Sequence, residues 1–216
     1  MTAVPELADL PFAEHLVAHK GDIRAQGDYD TVLLEGADYA EPSASSARFL
    51  ECAFSRVSLS GGVLKRASFR DVWMRGLRLT GTSMTETAWQ DVTVADSSLA
   101  GVQIYSAALR RVVFSGCKLE SVNFRGSKLT DVRFDNCVLR DVDFADAELT
   151  TCGFDGSQLS ETDFSRAAMD RTDLRGATLG IIIDERSLRG AIVSSGQLAV
   201  IAPVLAKTMG IVVRDD

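Results

Sequence analysis

The feature that most constrains this chain is a five-residue repeat of large apolar residues. Every fifth position from Phe49 to Leu179 holds Phe, Leu, Met, Trp, Val or Ile. An α-helix repeats every 3.6 residues and a β-strand every two, so neither element accounts for this spacing. The repeat instead predicts a chain that turns a corner after every five residues and points one large side chain inward from each group.

A second periodicity, of twenty residues, predicts the number of sides. Leucine recurs at every twentieth position from Leu59 to Leu179, and small residues recur at every twentieth position from Ala47 to Ala167. Such columns are uniform only if residues twenty apart stack in space. We therefore predict coils of four five-residue sides, with neighbouring coils paired at the parallel-strand spacing of about 4.8 Å.

The position two residues before the large one is small in almost every repeat. It holds all of the cysteines, which are Cys52, Cys117, Cys137 and Cys152. We interpret them as small buried apolar residues rather than disulfides or metal ligands, because their spacing gives no CxxC pair. All prolines lie outside residues 43–202, as expected where proline would remove donors from a hydrogen-bond ladder.

Segments such as CKLESVNFRGSKLTDVRFDNCVLRDVDFADAELTTCGF resemble the A(D/N)LXX repeats of the pentapeptide-repeat family, over about residues 29–193. The resemblance implies an all-β solenoid, the right-handed quadrilateral parallel β-helix, with turn residues at its corners. Gly, Asp and Asn favour turns, and they stand two residues after the large one at Asp71, Gly81, Asp91, Gly101, Gly116, Gly126, Asp131, Asn136, Asp141 and Gly156. We divide the chain into an N-terminal segment (1–28), the β-helix (29–193) and a C-terminal helix and strand (194–216).

An open solenoid must cover its ends, and both termini carry apolar segments suited to that role. Residues 5–20 predict one short helix that packs Leu7, Leu10, Phe12 and Leu16 on the first coil. Residues 194–210 predict a second helix, with an N-cap at Ser194 or Ser195 and a stop at Gly210, followed by a strand-like tail.

The C-terminal helix and GIVV tail resemble the C-terminus of the Qnr and MfpA branch of the family, whose members dimerise there. This resemblance implies a homodimer, and a monomeric cap is the alternative. The expected dimer interface consists of Leu198, Ile201, Leu205, Met209, Ile211 and Val213.

The sequence contains no motif typical of catalysis. GxSxG, P-loop and HExxH motifs are absent, and no histidine follows His19, so a Ser-His or Cys-His mechanism is hard to build. His15 and His19 have a spacing that can bind a metal, but without further ligands nearby they are interpreted as a solvated helix face. We predict a non-enzymatic protein with no metal and no cofactor. An acidic N-terminus and the lack of a long apolar run predict a cytoplasmic protein with no signal peptide and no membrane contact.

Charge is zoned along a chain whose net charge is −7. Residues 61–130 contain 5 acids and 10 bases, whereas residues 131–180 contain 11 acids and 5 bases. Acids recur at the twenty-residue step in Asp135–Asp155, Asp141–Glu161 and Asp143–Asp163, where like charges oppose each other unfavourably. Asp141 and Glu161 are at corner positions, where an acidic side chain can cap the turn. The acidic pairs at side positions need another reason.

The acidic zone suggests imitation of duplex DNA, a cylinder with closely spaced negative charge. Resemblance to Qnr and MfpA implies a DNA mimic that binds DNA gyrase or topoisomerase IV, without binding nucleic acid itself, and modifies sensitivity to quinolone-like inhibitors. The expected partner-binding residues are Asp131, Asp135, Asp141, Asp143, Asp146, Glu148, Asp155, Glu161 and Asp163.

The basic middle of the chain departs from a uniform DNA mimic. It contains Arg66, Arg70, Arg75, Arg78, Arg110 and Arg111, with Trp73 and Tyr105 at outward positions among them. Such a combination of arginines and exposed aromatics could mark a protein contact. The alternative function is therefore a scaffold or regulatory partner-binding rod unrelated to topoisomerases.

Overall fold

Parallel strands twenty residues apart build the body of the molecule. The structure is a computed structural model that describes residues 4–184 and 186–214. Trp89 pairs with Leu109 and Phe114 pairs with Phe134, and the same twenty-residue register joins coil after coil. The chain makes a parallel β-solenoid of about 8 coils. The predicted fold class and the four-sided coil are confirmed.

Each coil has four sides, which we number in chain order. Each side consists of three-residue segments that recur every twenty residues along the chain. The first and last segments are 28–30 and 168–170 on side 1, and 33–35 and 173–175 on side 2. They are 38–40 and 178–180 on side 3, and 43–45 and 163–165 on side 4. Isolated bridges, such as Asn123 with Asp143, join the coils on side 4.

Sides 1 and 2 form one continuous sheet in the middle coils, where single strands run around the corner between them. The strands of these two sides are Val17–Ala18, Asp28–Asp30, Val32–Glu35, Arg48–Leu50, Ala53–Ser55, Ser68–Arg75, Ala88–Ala95, Ala108–Ser115, Lys128–Asp135, Glu148–Thr150, Ala168–Asp170, Thr172–Asp173 and Ala191–Ile192. The strands of side 3 are Asp38–Ala40, Ser58–Ser60, Arg78–Thr80, Ser98–Ala100, Lys118–Glu120, Val138–Arg140, Gln158–Asp163 and Thr178–Ile182.

Every corner is a residue with a positive φ angle. These residues recur at each fifth position from Gln26 to Gly176, and all of the Gly, Asp and Asn corners expected from the sequence are among them. Glycine adopts a positive φ angle without strain, and Asp and Asn adopt one more readily than other residues do. The chain also places residues such as Arg111 (φ 51) and Glu161 (φ 54) there. Ladder bonds fix these corners, because the backbone N–H of Asp141, for example, donates to the carbonyl of Ser160 at 2.9 Å.

Stacked aromatic rings fill the lumen of the C-terminal coils. Phe114, Phe134 and Phe154 stack on side 2 with ring centroids 4.9 and 5.0 Å apart. Phe124, Phe144 and Phe164 stack on side 4 and meet the first column edge-on. Both arrangements are favourable for aromatic pairs. Because these side chains are fully buried, the lumen along this stretch is a packed core rather than a channel.

The N-terminal segment does not form the helix expected over residues 5–20. Two 3-10 turns, Leu7–Asp9 and Ala13–His15, precede a strand in which Val17 pairs with Val32. Pro11 lies in the middle of the expected helix, where it lacks a donor and clashes with the preceding turn. We call residues 4–16 the N-terminal strap.

The N-terminal strap lies along the outside of side 2 instead of over the lumen. Trp73 Nε1 donates to the Pro5 carbonyl at 2.9 Å, and Arg75 forms an ion pair with Glu6. Phe12 is buried, whereas Leu7, Leu10 and Leu16 are only partly buried. The strap therefore covers part of the outer surface.

Residues 19–24 cover the N-terminal mouth of the lumen. Ile23 is buried in the core cluster. The Tyr39 hydroxyl donates to the Gly21 carbonyl at 3.2 Å, and the Tyr29 hydroxyl accepts from the Arg24 N–H at 2.7 Å. The His19 ring meets Tyr29 edge-on at 5.2 Å, so His19 is part of this cover rather than of a solvated helix face.

Helix α1, Ser195–Thr208, covers the other end. Ser194 is its N-cap and forms a capping box with Gln197. Gln197 Nε2 donates to the carbonyls of Leu174 and Ala177 at 2.6 and 2.7 Å, which satisfies acceptors of the last coil. At the C-terminus of the helix, Gly210 has a φ of 71° and Ile211 N–H donates to Ala206, the pattern of a Schellman motif. The tail that follows, 211–214, contains no strand, so that expectation was wrong.

Candidate interaction surfaces

The nine acids expected to form one partner-binding face are distributed around the rod. Asp135 and Asp155 lie on side 2, Glu148 on side 1, and Asp143 and Asp163 on side 4. The other four are corner residues: Asp131 between sides 1 and 2, Asp141 and Glu161 between sides 3 and 4, and Asp146 between sides 4 and 1. The structure therefore places Asp141, Asp143, Glu161 and Asp163 together on two successive coils, and we call these four residues the acidic edge. Asp135 and Asp155 form a separate pair on side 2.

Four of the nine acids are ion-paired. Asp143 pairs with Arg125 at 2.8 Å, Asp146 with Arg125 and Arg166, Glu148 with Lys128, and Asp135 with Arg133. The Arg166 guanidinium is the main cause of a lowered pKa at Asp146. Among the described residues, Asp131, Asp141, Asp155, Glu161 and Asp163 have no ion-pair partner. These five carboxylates are the part of the acidic zone that forms no contact ion pair among the described residues.

The stacked acids on side 4 have a role in forming the turn. Asp143 Oδ1 accepts the N–H of Ala145 at 2.7 Å, and Asp163 Oδ1 accepts the N–H of Ser165 at 2.8 Å. Asn123 does the same for Arg125 one coil earlier. A short side chain that bonds the backbone two residues on is the mechanism by which Asp and Asn favour turns. This explains the opposed pair Asp143–Asp163, which corner position alone left unexplained.

Asp135 and Asp155 on side 2 have no such backbone contact. Burial raises the pKa of Asp135, partly offset by the nearby Arg133 guanidinium and reinforced by Asp155. The repulsion between Asp135 and Asp155 is therefore an electrostatic cost within the fold.

The basic middle of the chain is also spread over several sides. Arg111 pairs with Asp91 at the corner between sides 1 and 2, and Arg75 on side 2 pairs with Glu6 and Asp96. Four further arginines have no ion pair among the described residues: Arg66 between sides 4 and 1, Arg70 and Arg110 on side 1, and Arg78 on side 3. Side 1 therefore carries two unpaired arginines in one column.

The two aromatic residues placed among these arginines differ in exposure. Tyr105 is 42% exposed, whereas Trp73 is only 4% exposed because the N-terminal strap lies over it. Trp73 points outward from the coil, as its position in the repeat requires, but it is not available to a partner. No local sequence signal connects it with Pro5, which lies 68 positions away.

The expected dimer residues do not share one surface. Ile201 is 3% exposed and Leu205 is partly buried against the core, whereas Leu198, Met209, Ile211 and Val213 are exposed. Ile201 thus belongs to the cap. A shallow apolar groove of about 660 Å³ lies between α1 and the tail, lined by Ala199, Ala202, Pro203, Ala206, Lys207 and residues 210–213. We call this groove and the exposed tail the C-terminal apolar surface.

The cysteines are free and buried. Burial raises the pKa of Cys52 and of Cys152 to about 11, so these thiols are protonated at neutral pH. Within the described part of the chain, no group of three or more His, Cys, Asp or Glu side chains is arranged to hold a metal ion. None of the helices in residues 4–184 and 186–214 has the length and apolar character needed to cross a bilayer.

The four-sided coil, the filled lumen and the positive-φ corner at every fifth residue define a solenoid repeat protein of the parallel β-helix class. A family profile described as pentapeptide repeats (8 copies) matches residues 47–85, and one described as a pentapeptide repeat region matches residues 89–164. The chain belongs to the pentapeptide-repeat family.

Similar solved structures include trypsin-treated QnrB1, a plasmid-mediated fluoroquinolone resistance protein, at 17% identity over 90% of this chain and 100% of that chain, with a TM-score of 0.35. A pentapeptide-repeat protein of the Arabidopsis thaliana thylakoid lumen is 12% identical over 54% and 79% of the two chains, with a TM-score of 0.30. The A-module of Azotobacter vinelandii mannuronan C-5 epimerase AlgE4 is 14% identical over 79% and 63%, with a TM-score of 0.41. None of the curated proteins matches the sequence. At these identities and scores, the similar structures carry no functional conclusion for this chain.

Proposed function

We propose that this protein is a non-enzymatic interaction protein of the cytoplasm, and that its C-terminal half imitates duplex DNA toward DNA gyrase or topoisomerase IV. The observation that supports this most is the acidic edge. Asp141, Glu161 and Asp163 have no ion-pair partner among the described residues, and successive coils present carboxylates about 4.8 Å apart. Duplex DNA likewise carries a regular row of charges, one per about 3.4 Å of each strand.

The C-terminal apolar surface supports a homodimer as part of this proposal. Val212 is 75% exposed, and Ile211 and Val213, its neighbours in the tail, are exposed with it. Leu198 and Met209 are exposed on α1. Contiguous apolar patches on a surface are typical of protein contacts. Pairing two copies through this surface would place two acidic edges in one assembly, because the edge lies in the last coils before α1. Ile201 and Leu205 contribute by holding the helix on the coil.

Light scattering and sedimentation at micromolar concentration test the dimer. Val212→Glu should reduce the measured mass to that of one chain, because a charge would be buried in an apolar contact. Val17→Glu, at a residue 67% exposed at the opposite end, is the matched control and should leave the mass unchanged. A wild-type protein that sediments as a monomer would contradict the dimer.

A DNA supercoiling assay tests the gyrase proposal. Purified protein at micromolar concentration should either inhibit supercoiling by gyrase or restore supercoiling that a quinolone has blocked. The triple variant Asp141→Asn, Glu161→Gln, Asp163→Asn should lose this effect. It removes charge, but the amide oxygen introduced by Asp163→Asn can still accept the backbone bond of the turn. If neither gyrase nor topoisomerase IV responds to the wild-type protein, the target is wrong.

A charge-matched control separates the acidic edge from overall charge. Asp22, Asp38 and Glu41 are exposed and have no ion pair among the described residues. The triple variant Asp22→Asn, Asp38→Asn, Glu41→Gln changes the net charge by the same amount at the other end of the rod. It should retain the effect on gyrase. Equal loss in both triple variants would indicate non-specific repulsion or attraction in place of DNA imitation.

The second candidate is a partner-binding scaffold unrelated to topoisomerases. The unpaired arginines of side 1 favour it, because a DNA mimic does not need exposed positive charge. It predicts no response in the supercoiling assay and a partner that binds the N-terminal half of the rod.

A further inference from the structure

A shallow groove of about 750 Å³ runs along side 1 from Asp28 to Thr130. Its floor is formed by small outward residues, Ser68, Ala88 and Ala108, which follow one another at twenty-residue steps. Longer side chains rise around them at Arg48, Arg70, Gln90, Arg110 and Lys128. We call this the side-1 groove. It is a surface feature of the fold's outer face and lies outside the acidic edge and the C-terminal apolar surface.

The side-1 groove is basic in a chain whose net charge is −7. Its lining contains the cations Arg48, Arg70, Arg110 and Lys128 and the single acid Asp28. A second groove on side 2, around Gly153, is lined by Arg133 and Arg175 but also by Asp135, Asp155 and Asp173. The lining of the side-1 groove is therefore more positive than that of the groove on side 2.

The two arginines in the middle of the side-1 groove, Arg70 and Arg110, have no acid at the twenty-residue step, unlike several other arginines of the rod. Arg48, Arg111 and Arg166 each bond an acid twenty residues earlier, at Asp28, Asp91 and Asp146. The positions twenty residues from Arg70 and Arg110 are Leu50, Gln90 and Thr130, which supply no carboxylate. Both arginines are exposed and have no ion pair among the described residues.

Ion pairs close the side-1 groove at both ends. Arg48 binds Asp28 at 2.7 Å, and Lys128 lies 3.3 Å from Glu148. Asp91, at the neighbouring corner, is occupied by two bonds from Arg111. The free positive charge is thus confined to the two coil steps between Arg70 and Arg110, about 10 Å at the parallel-strand spacing.

We propose that the side-1 groove binds a short acidic segment of another protein in an extended conformation. Arg70 and Arg110 each bind one carboxylate through the guanidinium fork, and Ala88 and Ala108 leave room for the apolar residue between the two acids. In an extended polyproline-like segment, residues three apart are separated by about 9 Å, which matches the separation of the two arginines. Arginine is suited to this contact because it bonds a carboxylate with two parallel N–H groups.

Charge complementarity favours a peptide over a nucleic acid. A polynucleotide lying along side 1 would continue past the groove and meet Asp28 and Asp30 at one end and Glu148 and Asp170 at the other. Binding of single strands also relies on exposed aromatic side chains for base stacking. Trp89, the one tryptophan of the lining, is fully buried.

Fluorescence anisotropy with a labelled probe peptide, in which glutamate recurs at every third residue and leucine and alanine lie between, tests the proposal. At low ionic strength the full-length protein should bind the peptide saturably. The double variant Arg70→Ala, Arg110→Ala should weaken binding at least about tenfold. Ala88→Gln, which fills the floor without changing charge, should also weaken it.

Side 3 offers a matched control. Arg78 and Lys118 are two coil steps apart in one column, are exposed and have no ion pair among the described residues. The double variant Arg78→Ala, Lys118→Ala removes the same charge at the same spacing, and it should bind the peptide as the wild type does. The substituted side chains are exposed in both variants, so equal melting temperatures serve as the check on folding.

Three results would overturn the proposal. The first is the absence of saturable binding to the wild-type protein. The second is equal weakening by the side-1 and side-3 variants, which would indicate general attraction. The third is tighter binding of an oligothymidine of equal charge through Arg70 and Arg110, which would make the ligand a nucleic acid. The proposal is independent of the gyrase proposal, because the side-1 double variant leaves the acidic edge intact and should behave as wild type in the supercoiling assay.

Discussion

The two ends of the rod are covered in different ways. At the N-terminus, residues 19–24 cover the lumen and the N-terminal strap folds back over side 2, where it buries Phe12 and Trp73. At the C-terminus, α1 packs Leu205 against the core and buries Ile201 but leaves Leu198, Met209 and the tail exposed. The N-terminal segment thus removes apolar surface from water, whereas the C-terminal segment exposes additional apolar surface to water.

This difference distinguishes residues that cap an end of the solenoid from residues that are available for association with another chain. A solenoid end needs its backbone groups satisfied and its core covered, and Gln197 and Leu205 already do this for the last coil. The C-terminal apolar surface is therefore not needed to end the coil. The N-terminal strap, by contrast, has a hydrogen bond, an ion pair and a buried aromatic residue for its short length.

The largest effect is expected at the C-terminal cap. Ile201→Ala should lower the free energy of unfolding by about 2–5 kcal/mol, because it removes buried methyl groups and leaves a cavity against the last coil. Leu198→Ala, at a residue 49% exposed on the same helix, is the control and should cost far less. Urea unfolding followed by circular dichroism measures both.

The location of this effect checks the interpretation of the cap. In a solenoid each coil contacts only its neighbours, so the loss should be felt first in the adjacent coils. Hydrogen exchange should accelerate in residues 172–192 of the Ile201→Ala variant and remain unchanged in residues 28–60. Uniform acceleration along the rod would mean that the cap and the body unfold as one unit.

A smaller effect is expected at the N-terminal strap. Trp73→Phe keeps an aromatic ring on side 2 but removes the bond to the Pro5 carbonyl, and it should destabilise the strap by about 1 kcal/mol. Amide exchange of residues 6–16 measures this directly. Tyr105→Phe is the matched control at an exposed aromatic residue, and it should have no effect on the strap. If exchange in the strap stays the same in Trp73→Phe, then the strap is held by other contacts.

The two ends should also respond to pH in opposite directions. Bonds from the Ser187 hydroxyl and from backbone N–H groups lower the pKa of Asp184, near the C-terminal end. Its contribution is present above the unfolded value, about 3.9, and is lost as the pH falls through the folded pKa. Burial raises the pKa of Tyr39 at the N-terminal end. Its contribution is present below about pH 10 and is lost as the pH rises through the folded pKa.

Melting temperatures measured against pH test this contrast with two variants. Asp184→Asn should reduce the loss of stability below pH 4 and leave the alkaline limb unchanged. Tyr39→Phe should reduce the loss above pH 10 and leave the acid limb unchanged. Identical profiles for the wild type and either variant would show that the group does not contribute to the stability of its end.

The coil could be predicted from the sequence because its contacts repeat with the chain. The stacking of Phe114 on Phe134 follows from the twenty-residue register of the sequence. The position of Asp141 at a corner follows from the same register. The exposure of outward-facing side chains could be predicted less well, since it depends on contacts with residues distant in sequence. Trp73 is at an outward position, but only the distant Pro5 decides that it is buried.

The same limit applies to the candidate sites. The twenty-residue columns of the sequence predict the opposed pair Asp143–Asp163 but not its turn bonds, which depend on side-chain direction. The side-1 groove had a signal in the sequence, namely the small residues Ser68, Ala88 and Ala108 beside Arg70 and Arg110. That signal becomes visible only when the residues are arranged by side and not by position along the chain.

The smallest effect is expected from the ion pair between Glu6 and Arg75, which joins the N-terminal strap to side 2. Glu6→Gln should cost less than about 1 kcal/mol, because the Glu6 side chain is exposed and water screens such pairs. Arg75 keeps a second partner at Asp96, 2.9 Å away, so its charge is not left alone. The cost should fall further as salt is added, whereas the cost of Trp73→Phe should not depend on salt. Strap exchange rates at low and high ionic strength distinguish the two contacts, and a Glu6→Gln effect that exceeds that of Trp73→Phe would mean that charge, and not the buried indole, holds the N-terminal strap in place.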